Sequence, residues 1–313
     1  MKKVFTLVTT IFCTLTALAV DYTDQLVVSV NGESTTQQAT ITLEVDENGD
    51  YTLSLKNFVL LTEDDIMPVG NITVTDLEPI KTNNGIVLDT EEDVIITDGD
   101  DENMPFWMGP LLCDQLGAVP ISLRAALNGD KLYAVIDIDL TEGLGQVINV
   151  QFSTPAEEDE YTAAIESVSI GGTAVTEKQD ISDEEYENVV FYTASVELSS
   201  DPTLDDVLFQ TASSNSFAFV EIEPVDEDFE GFPGVSDDAD YMVLVGNYAA
   251  DLKSAEGWII SVKVTANVNG IEMTNDGKNT IYNLNGQRVV DTAKRQVYIV
   301  KNADGKATKV LKK

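Results

Sequence analysis

Histidine is entirely absent from these 313 residues. Without an imidazole there is no Ser-His-Asp or Cys-His nucleophilic system, no HExxH metal helix and no ordinary zinc centre, since each uses that ring as base or ligand. Neither GxxxxGK[ST] nor GxGxxG occurs, so nucleotide chemistry has no phosphate cradle. No catalytic residue and no cofactor is therefore assigned. Cysteine is nearly absent as well: Cys13 and Cys113 are the two. Basic residues are scarce and confined. Val20 to Asn279 carries 53 Asp and Glu against 8 Lys and Arg, whereas Thr280 to Lys313 carries 8 basic against 2 acidic residues. So acidic a body repels nucleic acid and anionic membrane surfaces, and nucleic acid is excluded as a partner. Helical periodicity is also missing, and no convincing helix is expected.

What is present begins with a leader. Lys2 and Lys3 precede an uncharged apolar run from Val4 to Val20 that ends in Ala17-Leu18-Ala19. This pattern predicts a secretory signal peptide over residues 1–19, with Ala17, Ala19 and Val20 framing the cleavage point. Cleavage there leaves Cys113 as the one thiol and no intrachain disulfide, so the exported chain must be stabilised by its core. The expected location is extracellular or on the outer cell surface, with the periplasm as the alternative. Export machinery is the partner expected at the N-terminus.

Alternating strands fill the next stretch. Ile41, Leu43 and Val45 share a face opposite Thr40, Thr42 and Glu44. After Asp46-Glu47-Asn48-Gly49-Asp50, Tyr51, Leu53 and Leu55 alternate with Thr52, Ser54 and Lys56. An Asn-Gly pair between such runs predicts a type I′ hairpin. The same reading applies at Asn128-Gly129, ahead of a run whose face is Ala134, Ile136, Ile138 and Leu140. With Gln25–Val30, Met67–Leu77, Gly85–Thr97 and Gln146–Phe152, the count is eight strands. An eight-stranded antiparallel up-and-down barrel over residues 20–154 is the expected architecture, with a sandwich as runner-up.

Residues 155–162 read as an acidic linker. Residues 163–268 hold six short strands with room for a seventh, the pattern of an immunoglobulin-like β-sandwich. Residues 269–279 are a turn-rich second linker, and residues 280–313 a small, basic β tail. The fold class is all-β.

Ala39-Thr40-Ile41-Thr42-Leu43-Glu44-Val45, Tyr51 to Phe58, Val69-Gly70-Asn71-Ile72 and Ile121 to Leu127 resemble the calycin-like (lipocalin-like) domains of exported Bacteroidetes proteins. The resemblance implies an antiparallel barrel able to hold a small apolar molecule, although the first strand lacks the Gly-x-Trp of ordinary lipocalins. In the tail, the stretch around Tyr282 and Gly286, the strand containing Tyr298, and Gly305 before a Lys-ended terminus resemble the C-terminal sorting domains of type IX secretion cargo. That resemblance implies outer-membrane sorting machinery as a second partner.

Candidate sites are few. Phe106-Trp107-Met108 places apolar bulk where a loop should be polar, either as a lid on the core or as the lining of a ligand entrance. Tyr133 is a further binding candidate, set against ordinary cross-strand packing. Asp98, Asp100 and Asp101 are weak calcium candidates, because clustered carboxylates suit a hard cation, but the run does not fit an EF-hand loop. The function expected is a non-enzymatic secreted or surface-attached binding protein for a small apolar ligand or glycan fragment. The alternative is a structural or adhesion protein whose solid β domains recognise partners through their surfaces.

Overall fold

The computed structural model describes residues 18–61, 66–141, 145–155, 161–182, 188–226, 229, 232–265, 280–282, 296–301 and 307–312. These fall into two compact units, one reaching to Val262 apart from residues 197–201, and one holding those residues with Lys263 onward.

The first sheet contains β1 (Leu18–Val30), β2 (Glu33–Val45), β3 (Tyr51–Leu61), β4 (Ile66–Leu77), β5 (Ile80–Thr82), β6 (Gly85–Val94), then, after the helix α1 (Gly109–Leu116), β7 (Val119–Asn128), β8 (Lys131–Leu140) and β9 (Gln146–Phe152). Their order is β4-β3-β2-β1-β9-β8-β7-β6-β5, antiparallel throughout and curled on itself. The eight predicted strands are all present, and β5 is a short ninth. Alternation works as expected: Ile41, Leu43, Leu53, Leu123, Ala125, Ala134 and Phe152 are buried inside the curl, each large apolar side chain contributing about 1.5–3 kcal/mol relative to exposure.

Two expectations are corrected. Asn48-Gly49 and Asn128-Gly129 are not type I′ turns, because only the glycine of each pair is left-handed (φ 98 and φ 63). At the first, the Asp46 carboxylate takes over the turn by accepting the N–H groups of Asn48, Gly49 and Asp50 at 2.8–3.0 Å. The pair that does place both residues at positive φ is Asn31-Gly32 (φ 49 and φ 87), the two-residue link between β1 and β2. The second correction is α1. It starts with Pro110 in its first turn and stops at Gly117 (φ 88), whose N–H reaches Cys113 O at 2.7 Å.

Closure of the curl is sparse. Among the described residues the edges meet at one antiparallel bridge, Asn71 with Thr97, made by Asn71 N–H to Thr97 O at 2.9 Å and Thr97 N–H to Asn71 O at 3.0 Å, and Met108 N–H adds a bond to Pro68 O of β4 at 2.7 Å. On the other side of the β3–β4 hairpin, the β2–β3 ladder runs only from Val45–Tyr51 to Ile41–Leu55. Beyond it, among the described residues, Gln37 Nε2 donating to Val59 O at 2.7 Å ties the two strands.

The second region adds β10 (Ile165–Ile170), β11 (Thr173–Ala174), β12 (Lys178–Asp180), β13 (Val189–Leu198), β14 (Val207–Thr211), β15 (Phe217–Pro224), β16 (Tyr241–Tyr248) and β17 (Ala255–Val264). They form two sheets, β11-β10-β14 and β12-β13-β17-β16-β15, as the expected sandwich requires. All six predicted strands are there. One edge of this region packs on the outer face of the barrel: Val87, Ala126, Tyr133 and Val135 meet Phe217, Tyr248 and Leu252 in one buried cluster. Tyr248 Oη donates to Asp89 at 2.8 Å, and Arg124 lies 3.5 Å from the same carboxylate.

In the tail, β18 (Thr280–Tyr282), β19 (Gln296–Lys301) and β20 (Ala307–Lys312) make a three-stranded antiparallel sheet. Tyr282 and Tyr298 lie in β18 and β19. Gly286, Gly305 and Ala17 lie outside the described residues, as do most of the leader and the second linker. The expected cleavage point between Ala19 and Val20 falls in β1, where both residues are exposed and pair with Glu44 and Leu43.

Candidate functional site

The barrel is solid at one end and hollow at the other. Phe152, Leu26, Ile41, Leu53, Leu88 and Leu123, each under 2 % exposed, fill the end where β2 turns into β3 and β7 into β8. Toward the opposite end, where β1 turns into β2 and β8 into β9, the same inward faces stand apart and enclose a cavity of about 840 Å³. Cavities of roughly 300–1,000 Å³ suit small molecules.

Its wall is built by alternation. Leu55, Phe58 and Leu60 come from β3, Val69 and Ile72 from β4, Ile136 and Ile138 from β8, and Ile148 and Val150 from β9. A bulge between Leu55 and Phe58 shifts the β3 register, which is why both of those residues face inward despite their odd spacing. Met108, just before α1, and Leu112 within it close part of the wall. Polar groups gather at one rim: Asn31, Glu33, Ser34 and Thr35 from the β1–β2 hairpin tip and Gln146 from the start of β9. Asn31 is fixed there by reciprocal bonds with Val147, its N–H to Val147 O and its Oδ1 from Val147 N–H, both at 2.9 Å. Near the same end, Leu61, Ile66 and Met67 remain 36–60 % exposed.

The segment from Ile95 to Met108 crosses between β6 and α1 and is clipped down by two asparagines. Asn57, left-handed at φ 53 in the β3 bulge, accepts the N–H groups of Asp100 at 2.5 Å and Asp101 at 3.1 Å on its Oδ1. Its own N–H donates to Asn71 Oδ1 at 2.7 Å, and Asn71 Nδ2 donates to Asp98 O at 2.9 Å. Gly70 (φ 125) and Gly109 lie where the chains come closest. A Cβ on the first would overlap Thr97 O, and on the second the Ile96 side chain and Val69 O.

The predicted site residues therefore separate. Met108 lines the cavity. Trp107 is buried, 7 % exposed, with its ring so close to Gly99 that any Cβ there would overlap it. Phe106 is exposed. Phe106 and Trp107 join Asp98, Asp100 and Asp101 around a second, shallow pocket of about 470 Å³ on the outside of the loop. Tyr133 lies on the outer face of β8, in the cluster with Phe217 and Tyr248, and does not line the cavity. Its neighbour Val135 and the facing Ala126 and Val87 carried the signal: apolar residues on the supposed solvent face mark a face that something covers.

Within the Asp98–Asp101 run the Asp101 carboxylate serves the turn. Asp101 Oδ1 accepts the N–H and the Nδ2 of Asn103, both at 2.9 Å, and these bonds hold its pKa below the usual carboxylate range. Among the described residues no group of three or more Cys, Asp or Glu gathers at metal-binding spacing. No helix among them is long and apolar enough to cross a membrane.

Residues 18–154 match the family model of the calycin-like β-barrel domain, a span that coincides with the nine-stranded sheet and its cavity. No curated protein matches the sequence. Among solved structures, a crystal structure of a protein described as membrane anchored, from Corynebacterium diphtheriae, aligns with 90 % of this chain and 68 % of its own at 12 % identity. Its TM-score of 0.18 is too low to carry an argument about fold or function.

Proposed function

We propose that this chain is an exported, non-enzymatic binding protein whose calycin-like barrel takes up a small apolar molecule. The observation that carries the reading is the hollow half of the barrel. A merely structural barrel fills its interior, because apolar side chains that stand apart lose the contacts they make when packed. A cavity of about 840 Å³ is far outside what packing defects produce, and an apolar ligand replaces those contacts. The same observation weighs against the solid adhesion module.

Export rests on the leader pattern of Lys2, Lys3 and the following apolar run. The sorting role of the tail rests on its resemblance, on its basic charge, and on its strands forming a sheet of their own.

Uptake is tested with an uncharged apolar dye whose fluorescence rises out of water. The full chain is expected to bind it saturably with one site. The double substitution Ile138→Trp with Ile148→Phe, at facing positions of β8 and β9, fills the cavity from inside and is expected to abolish binding while leaving the circular dichroism of the β fold unchanged. Dye binding that survives this pair with unchanged affinity refutes the barrel as the site.

A further inference from the structure

Building on that reading, we infer that the molecule held in the barrel ends in an uncharged or cationic polar group, an alcohol, amine or ammonium, and not in a carboxylate or sulfate. The inference comes from where the basic residues are. Between Leu18 and Pro155 the sequence contains four: Lys56, Lys81, Arg124 and Lys131. None of them lines the cavity. Lys81, in β5, and Lys131, at the start of β8 after the β7–β8 turn, belong to the solid end. Arg124 is on the outer face, engaged with Asp89 at 3.5 Å and stacked 5.9 Å from the Tyr248 ring. Lys56 is exposed on the bulge of β3.

Among the described residues that line the rim, the one charged side chain is Glu33, beside the amides of Asn31 and Gln146 and the hydroxyls of Ser34 and Thr35. An apolar chain lying in the cavity therefore presents its polar end to a carboxylate and to neutral dipoles. An anionic end would find no counter-ion while giving up part of its hydration, which is unfavourable. It would also be repelled by Glu33 and by a body whose formal charge dominates the chain total of −37. A hydroxyl meets acceptors and donors without penalty, and an ammonium gains the attraction.

The test is a competition on the full chain. The bound uncharged dye is displaced, at low and high salt, by dodecyltrimethylammonium, dodecanoate and dodecyl sulfate, each below its micelle concentration, and by dodecanol below its solubility limit. At low salt the ammonium is expected to displace at concentrations lower than the two anions by roughly tenfold or more, the scale of reversing one charge a few ångströms from a carboxylate in a watery rim, and the alcohol by roughly fivefold, the scale of removing one. High salt narrows the gap. Glu33→Gln narrows it further and Glu33→Lys favours the anions; both are surface changes at a hairpin end, checked for folding by circular dichroism. The cavity-filling pair at Ile138 and Ile148 separates uptake from adsorption to the acidic surface, since adsorption survives it.

Anions that compete as well as the alcohol, or better, overturn the inference while leaving uptake standing. Failure of the dye and of every dodecyl compound to bind overturns uptake and the head-group inference together.

Discussion

Replacing Gly70 by alanine tests how the barrel is closed. At φ 125 the backbone is in a region that side-chain-bearing residues enter only at a cost of about 1–3 kcal/mol. A Cβ there would also overlap Thr97 O, which is backbone and cannot swing aside. Relief means parting β4 from Thr97, and that breaks the two bridge hydrogen bonds of 2.9 and 3.0 Å, each worth about 0.5–1.5 kcal/mol. The expected loss is about 2–6 kcal/mol. For a unit of this size that lowers the melting temperature by about 4–24 °C, at about 2–4 °C per kcal/mol. Gly49→Ala is the control: it shares a positive φ (98), but a Cβ there meets nothing within 4 Å, so only the conformational cost remains. Thermal unfolding followed by circular dichroism gives the two losses, and hydrogen exchange at the Asn71 and Thr97 amides locates the damage. Faster exchange at those amides in Gly70→Ala alone, with the larger thermal loss, is the expected result. Equal losses in the two variants, with Thr97 as protected as before, would refute the bridge as the closing element.

Two further outcomes follow from contacts away from the cavity. Tyr248→Phe removes the hydroxyl that donates to Asp89 at 2.8 Å. With Arg124 still beside that carboxylate, the expected cost is about 1–2 kcal/mol in urea unfolding; no measurable loss would mean that the apolar cluster alone holds the two regions together. The acid limb of the stability curve should also steepen for turn carboxylates. Asp46, Asp139, Asp180 and Asp206 are all held below the ordinary 3.8 by hydrogen bonds to the folded chain. Their contribution is therefore complete above that value and is lost as pH falls through their lower folded values. Glu221 acts in the opposite sense, because burial and then Glu223 raise its pKa, so protonating it in acid favours the fold. Asp46→Asn is expected to flatten the loss below pH 3.8 in denaturant titrations, and an unchanged slope would count against the carboxylate as the keystone of the β2–β3 turn.

The strands were legible because one face of each is buried, and burial on one face writes a period of two into the sequence. Ile41-Thr42-Leu43-Glu44-Val45 illustrates it. The turns were less so. Asn-Gly favours left-handed backbone at both residues, yet at Asn48-Gly49 the Asp46 side chain offered three hydrogen bonds to a longer loop, and local bonding outweighed propensity. Helix α1 was hidden by its eight residues, too few for a periodic stripe, although Pro110 and Gly117 marked its ends. Asn57 and Gly70-Asn71 were visible only as a resemblance; the clip they form joins positions far apart in the chain, which no local pattern encodes. The cavity was implied by the resemblance and could not be read from the alternation. Alternation tells which side chains point inward, and only the spacing of opposite walls decides whether they touch.

The β3–β4 hairpin deserves to be seen as a hinged stave. Near the solid end it is sewn to β2 by consecutive ladder pairs, while among the described residues its free half hangs on Gln37 at one margin and, at the other, on the Asn57, Asn71 and Thr97 clasp and the Met108 N–H to Pro68 O bond of 2.7 Å. Opening there requires a handful of hydrogen bonds to break, against whole ladders elsewhere, so the cheapest local unfolding of the barrel is also the one that widens its bore. On the proposed reading, admission to the cavity would be governed by the strength of a buckle, and the width of a guest would be bounded by how far the stave swings, not by the diameter of the barrel at rest.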